Sequence, residues 1–88
     1  MAWTVRLASE ADKQLKKLPR DRRELIHKHL LEMAEDPLRG DVKPLKGPQW
    51  KGRYRKRVGS YRIIFVTSQE GGTVDVSAIL PRSEKTYR

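Results

Sequence analysis

Residues 50–65 read Trp50-Lys51-Gly52-Arg53-Tyr54-Arg55-Lys56-Arg57-Val58-Gly59-Ser60-Tyr61-Arg62-Ile63-Ile64-Phe65. Two β-rich runs flank Gly59-Ser60, which suits a two-residue hairpin turn. Side chains alternate along a strand, so Arg53, Arg55 and Arg57 point the same way. With the turn at Gly59-Ser60, Val58 faces Tyr61 and Arg57 faces Arg62. Arg62 therefore joins the three arginines. Tyr54, Val58, Tyr61, Ile63 and Phe65 take the opposite face, suited to a core. The same register sends Lys56 to the core side and Ile64 to the arginine side.

Like charges opposite one another on a sheet are destabilising. Four arginines on one face, with no acid close in sequence, is therefore a costly arrangement that a phosphate would relieve. The planar guanidinium fork grips phosphate oxygens through paired hydrogen bonds. A plainer explanation is that Arg53, Arg55 and Arg57 blunt an edge strand. It accounts poorly for Arg62, which sits in an otherwise apolar run.

Outward from the hairpin, residues 73–80 alternate through Val74, Val76, Ala78 and Leu80 and predict another strand, reached through Gly71-Gly72. Residues 38–52, punctuated by Gly40, Pro44, Gly47, Pro48 and Gly52, predict a loop, with Leu45 and Trp50 as anchors. Ile26, Leu30 and Met33 lie at helical spacing in a helix over 21–34. Ala11, Leu15 and Leu18 mark an earlier helix with Ser9 as its N-cap and Pro19 as its end. Trp3, Val5 and Leu7 alternate as a first short strand. The expected fold is α+β, in the order β-α-α-β-β-β. A helical hairpin covers one face of an antiparallel sheet, and the other face is left for function.

The 88 residues suit a single domain over 1–88. There is no cysteine, which excludes disulfides and thiolate metal sites and suits a reducing, cytoplasmic setting. No apolar run approaches membrane-spanning length. The net charge of +9 is lopsided. Residues 1–42 carry nine Lys/Arg and eight Asp/Glu, and residues 43–88 carry eleven and three. Such a one-sided field attracts polyanions. His27 and His29 are the only histidines, both mid-helix and far in sequence from the arginines, so a paired-histidine mechanism is not indicated. Carboxylate pairs, phosphate-binding loops and metal-ligand spacings are also missing from the sequence. The stretch Pro81-Arg82-Ser83-Glu84-Lys85-Thr86-Tyr87-Arg88 is a polar tail. Folding back from the last strand, it would bring Arg82 and Tyr87 to the open face, Arg82 to add charge and Tyr87 to stack on a base or donate a proton.

Taken in order, four segments resemble the RelE/ParE toxin superfamily. Residues Ala11 to Pro19 are similar to its first helix, and Lys43-Pro44-Leu45-Lys46-Gly47 to its pre-strand loop. Tyr54 to Phe65 is similar to its Tyr-Arg-x-Arg-x-Gly-x-Tyr-Arg strand pair, and Arg82 to Tyr87 to its C-terminal ending. The resemblance implies a RelE-like fold, akin to microbial ribonucleases. It implies a toxin of a type II toxin–antitoxin system that cuts mRNA in the A site of the 70S ribosome without a cofactor or metal. The residues it implies for catalysis are Arg53, Arg55, Arg62, Arg82 and Tyr87. Lys46, Lys51, Lys56, Arg57 and Lys85 would contact RNA. The implied partners are a cognate antitoxin protein, the ribosome and mRNA, with no membrane. ParE-type members instead inhibit DNA gyrase. The chain departs from studied RelE members in having arginines where they have lysines at positions 53 and 55, and in Pro81. Arginine stays protonated and makes a poor general base. Lys51, Lys56, Glu84 and the ribosomal RNA are the alternatives for that role.

Overall fold

The β3–β4 hairpin, Arg53–Val58 and Tyr61–Ser68, is the centre of a five-stranded sheet. The computed structural model describes residues 2–46 and 52–81. The remaining elements are β1 (Thr4–Leu7), α1 (Ser9–Lys16), α2 (Arg20–Glu35), β2 (Val42–Pro44) and β5 (Thr73–Pro81). The strand order is β1-β5-β4-β3-β2. The α+β class and the two helices agree with the sequence reading.

The hairpin register is also the expected one: Val58 pairs with Tyr61 and Arg57 with Arg62. Gly59 turns the chain at φ +55°, with no positive φ at Ser60, as a turn with glycine in first position requires.

Two features differ from expectation. The sheet is mixed, because β1 runs parallel to β5, with Thr4 beside Thr73 and Leu7 beside Val76. The helices carry the chain across one face between β1 and β2, and this crossover makes the parallel pairing possible. The expected loop over 38–52 also contains β2, which pairs antiparallel to β3 through Val42–Lys56 and Lys43–Arg55. Three residues are too few to show alternation, and Pro44 is tolerated because the strand lies at an edge.

The helices cover one face only. Ala11 from α1 and Ile26, Leu30 and Met33 from α2 meet Val58, Ile63, Phe65, Val74, Val76 and Ile79 from the sheet. Phe65, Ile63, Val74 and Val76 are fully enclosed. Burying a side chain of this size contributes about 1.5–3 kcal/mol. Gln14 Oε1 on α1 accepts the Ile79 backbone N–H at 2.7 Å, tying that helix to β5. Ser9 opens α1 but does not cap it. The cap position falls on Ala8, which makes no side-chain bond. The last turns end without glycine: Lys17 closes α1, and Asp36 before Pro37 closes α2. Among the described residues no helix is long and apolar enough to cross a membrane.

Candidate functional site

Alternation across the registered strands sends Arg53, Arg55 and Arg57 of β3 and Arg62 of β4 to the face the helices leave open. Lys43 of β2 lies beside Arg55 on the same face. The rows can be followed across the sheet. Lys43, Arg55, Ile64 and Ala78 form one row. Arg57, Arg62 and Leu80 form the next. Arg53, Val66, Asp75 and Arg6 form a third. Cations thus crowd the β2–β4 side, and small or aliphatic side chains, with Asp75, fill the β4–β5 side.

The arginines are half-buried rather than extended into solvent. Arg53 Nη1 donates to Ser77 Oγ at 3.2 Å. Ser77 stands at an irregularity of the β4–β5 ladder: Ile64 pairs with Ala78 but Phe65 with Val76. The extra residue lets Ser77 and Ala78 both serve the open side. Arg57 Nε lies 3.8 Å from Asp41 Oδ2, an ion-pair distance too long for a hydrogen bond. Arg55 Nη1 is buried and has no hydrogen-bond partner. A buried guanidinium N–H without an acceptor is costly, and an anion's oxygen would satisfy it.

One acid of this face is already engaged. Asp75 takes a hydrogen bond from Arg6 Nε at 2.8 Å, and that contact raises the Arg6 guanidinium pKa. Asp41 is the acid beside Arg57.

Lys56 requires a correction. Assigned above to RNA contact, it is only 2% exposed and lies on the helix side, opposite the arginines. Strand alternation puts it there. Burial lowers its pKa most strongly, and Arg39 lowers it further, against Glu32 and Asp36, which raise it. His29, near the same cluster, has Nδ1 3.6 Å from Glu32 Oε1. Its pKa is lowered, first by burial and then by Lys56, with Glu32 opposing. His27 is exposed, and it lines an apolar groove with Trp3, Leu7 and Leu31 on the helix side. Neither histidine shares a face with the arginines.

The structure brings together Arg53, Arg55, Arg57 and Arg62. Lys46 is exposed just beyond β2, and Leu45, half-buried, is not part of the core cluster. Lys51, Arg82, Lys85 and Tyr87, with Trp50 and Glu84, lie outside the described residues. Sequence reasoning missed Lys43, Asp41 and Ser77. Lys43 had a signal in its strand pairing with β3, once β2 is recognised. The other two are brought in by tertiary structure alone. Among the described residues, no group of three His, Asp or Glu side chains is placed to hold a metal ion.

The family model for the ParE toxin of type II toxin–antitoxin systems matches residues 5–86. Among solved structures, the chain is similar to one in the RelBE2 toxin–antitoxin complex of Mycobacterium tuberculosis. The identity is 28% and the TM-score 0.82, over 93% of this chain and 100% of that one. It is similar to the isolated Escherichia coli RelE toxin at 27% identity and TM-score 0.78, over 98% and 93%. The archaeal RelE–RelB complex of Pyrococcus horikoshii shares the fold, with TM-score 0.83 at 23% identity over 96% and 99%. No curated protein matches in sequence.

Proposed function

The chain belongs to the ParE toxin family of type II toxin–antitoxin systems, and from that footing we propose that it is a ribosome-dependent endoribonuclease that cuts mRNA in the A site. The observation that carries this reading is the open-face arginine rank, with the buried, unpartnered Nη1 of Arg55 at its centre. A phosphate oxygen satisfies that donor and relieves the Arg57–Arg62 repulsion in one step.

In the reaction, the mRNA's 2′-oxygen bonds to the adjacent phosphorus and the bond from phosphorus to the 5′-oxygen breaks. The products are a 2′,3′-cyclic phosphate and a 5′-hydroxyl. Arg62 stabilises the charge that builds on the pentacoordinate phosphorus, assisted by Arg53, Arg55 and Arg57. Arg82 adds charge and Tyr87 stacks on a base. The 2′-proton goes to Lys51, Glu84 or the ribosomal RNA, and the departing 5′-oxygen takes up a proton from solvent to become the 5′-hydroxyl. Lys56 leaves that set because it is buried on the other face. Lys46, Lys51 and Lys85 contact the strand. The partner that silences the toxin is an antitoxin whose acidic segment covers the basic face. A toxin acting on translating ribosomes works in the cytoplasm.

The test is mRNA cleavage with and without programmed ribosomes, with the ends mapped. Cuts confined to A-site codons, and lost in Arg62→Ala, support the reading. A second reading, gyrase inhibition without RNA cleavage, is favoured by the ParE family match. Intact mRNA in both reactions, with loss of supercoiling by gyrase, selects it.

A further inference from the structure

The open face is not uniformly cationic. Ile64, Val66 and Ala78 lie next to one another on β4 and β5; the row of Ile64 and Ala78 ends in Lys43–Arg55, and the row of Val66 carries Arg53 on one side and Asp75, held by Arg6, on the other. All three are half-buried. Strands sit ~4.8 Å apart and alternate residues ~6.7 Å apart along a strand, so this aliphatic platform measures roughly 5 by 7 Å. That is about the footprint of one base ring. Leu80, 37% exposed, extends it past Arg62.

We propose that Ile64, Val66 and Ala78 form the seat of one nucleobase of the bound strand, with the Ser77 hydroxyl reading its edge. The inference rests on the RNA-cleaving reading and adds to it a site of base selection. The occupant is argued from the frame. Cations flank the platform along β3, where Arg53 and Arg57 are four residues, about 13 Å, apart. A single strand laid along that rank has its phosphates held and its bases turned inward over the aliphatic patch. Bases are received between apolar as well as aromatic side chains. Ser77 Oγ already accepts from Arg53 Nη1, which leaves its own O–H to donate. A base presenting an acceptor on that edge is favoured over one presenting a donor. Arg53 thereby links the phosphate grip to the edge reader.

The experiment uses ribosomes programmed with an mRNA whose A-site codon carries one abasic nucleotide at each position in turn. The wild-type protein is expected to cut the abasic mRNA roughly tenfold more slowly at one position, in the range of other base-contact losses. Val66→Thr, nearly isosteric, and Ile64→Ala are expected to cut the intact mRNA more slowly and to lose that discrimination. Ser77→Ala is expected to flatten the base preference at that position, and Ser77→Thr to restore it. Discrimination that survives both Val66→Thr and Ile64→Ala overturns the seat. Equal cutting of abasic and intact mRNA by the wild type also overturns it. If the wild type cuts neither mRNA, the RNA-cleaving reading fails first and the seat falls with it.

Discussion

Arg57 and Arg62 stand directly opposite one another across the β3–β4 hairpin, with Arg57 Nε 3.8 Å from Asp41 Oδ2. The pair is a source of repulsion in the free protein, and in the proposed reaction it clamps the phosphate. Arg62→Ala is therefore expected to separate the two properties. Cutting should fall about 10²–10³-fold, the usual cost of one charge-stabilising donor. The urea midpoint should change little, because the cross-strand repulsion of about 0.2–1 kcal/mol that is removed offsets the contacts Arg62 gives up. End-mapped cleavage and urea unfolding on the same sample check both. Unchanged cutting removes Arg62 from the mechanism.

RNA affinity should be strongly salt-dependent. Each phosphate neutralised on a single strand contributes about −0.7 to the slope of log K against log salt. With Arg53, Arg55, Arg57 and Arg62 all engaged, the slope is expected near −3. Arg55→Ala should make it shallower by about 0.7. Filter binding of a short oligoribonucleotide over a salt series measures this. An unchanged slope in Arg55→Ala means that its buried Nη1 does not meet phosphate.

Lys56→Met should fold as well as the parent or better. An ammonium taken out of water costs free energy that an apolar side chain of similar length does not incur. Lys56 is enclosed on the helix side and its pKa is lowered mainly by burial. Ribosome-dependent cutting should be unaffected. A loss of cutting in a well-folded Lys56→Met protein would show that the buried ammonium positions Arg55 and Arg57 through the strand.

His29 makes stability depend on pH in a definite direction. Its folded pKa lies below the ordinary 6.5, chiefly through burial. Between the folded value and 6.5 the unfolded chain binds more proton, so stability is highest above 6.5 and falls as pH drops through that window. Urea midpoints taken from pH 7.5 down to 5 should decline, and His29→Gln should flatten the decline. A midpoint that rises on acidification contradicts the assignment.

Gly59 occupies a positive φ of +55° at the hairpin turn. Gly59→Ala should cost about 1–2 kcal/mol, because the turn forces a Cβ into a left-handed backbone. Thermal unfolding measures it. The cost is conformational: a Cβ there would meet Leu25 at an ordinary 3.8 Å.

The hairpin and its two faces were legible because local chemistry sets them. Gly59-Ser60 fixes the register, and alternation then assigns every residue from Arg53 to Phe65 to a side. That same alternation placed Lys56 on the helix side, and its assignment to RNA contact set the positional evidence aside. The parallel β1–β5 pairing was not legible, since nothing in Trp3–Leu7 states which strand it will join. β2 was too short to show a period. Asp41 and Ser77 reach the arginines only through the pairing of β2 with β3 and the bulge of β5, both non-local. Ser9 had the chemistry of a cap but fell one position inside the helix.

The parallel pair has a consequence for the order in which the protein is built. Arg6 and Asp75, which bond across it, are 69 residues apart. At about 5–20 residues per second of synthesis, β1 therefore waits roughly 3–14 s for the strand that will hold it. Ser77 and Ala78 arrive on that same late strand, after every open-face arginine of the hairpin. Closure by distant partners is also slow in itself. Assembly of the open face is thus deferred until β5 has emerged, so the ribosome making this toxin is handling an unfinished one.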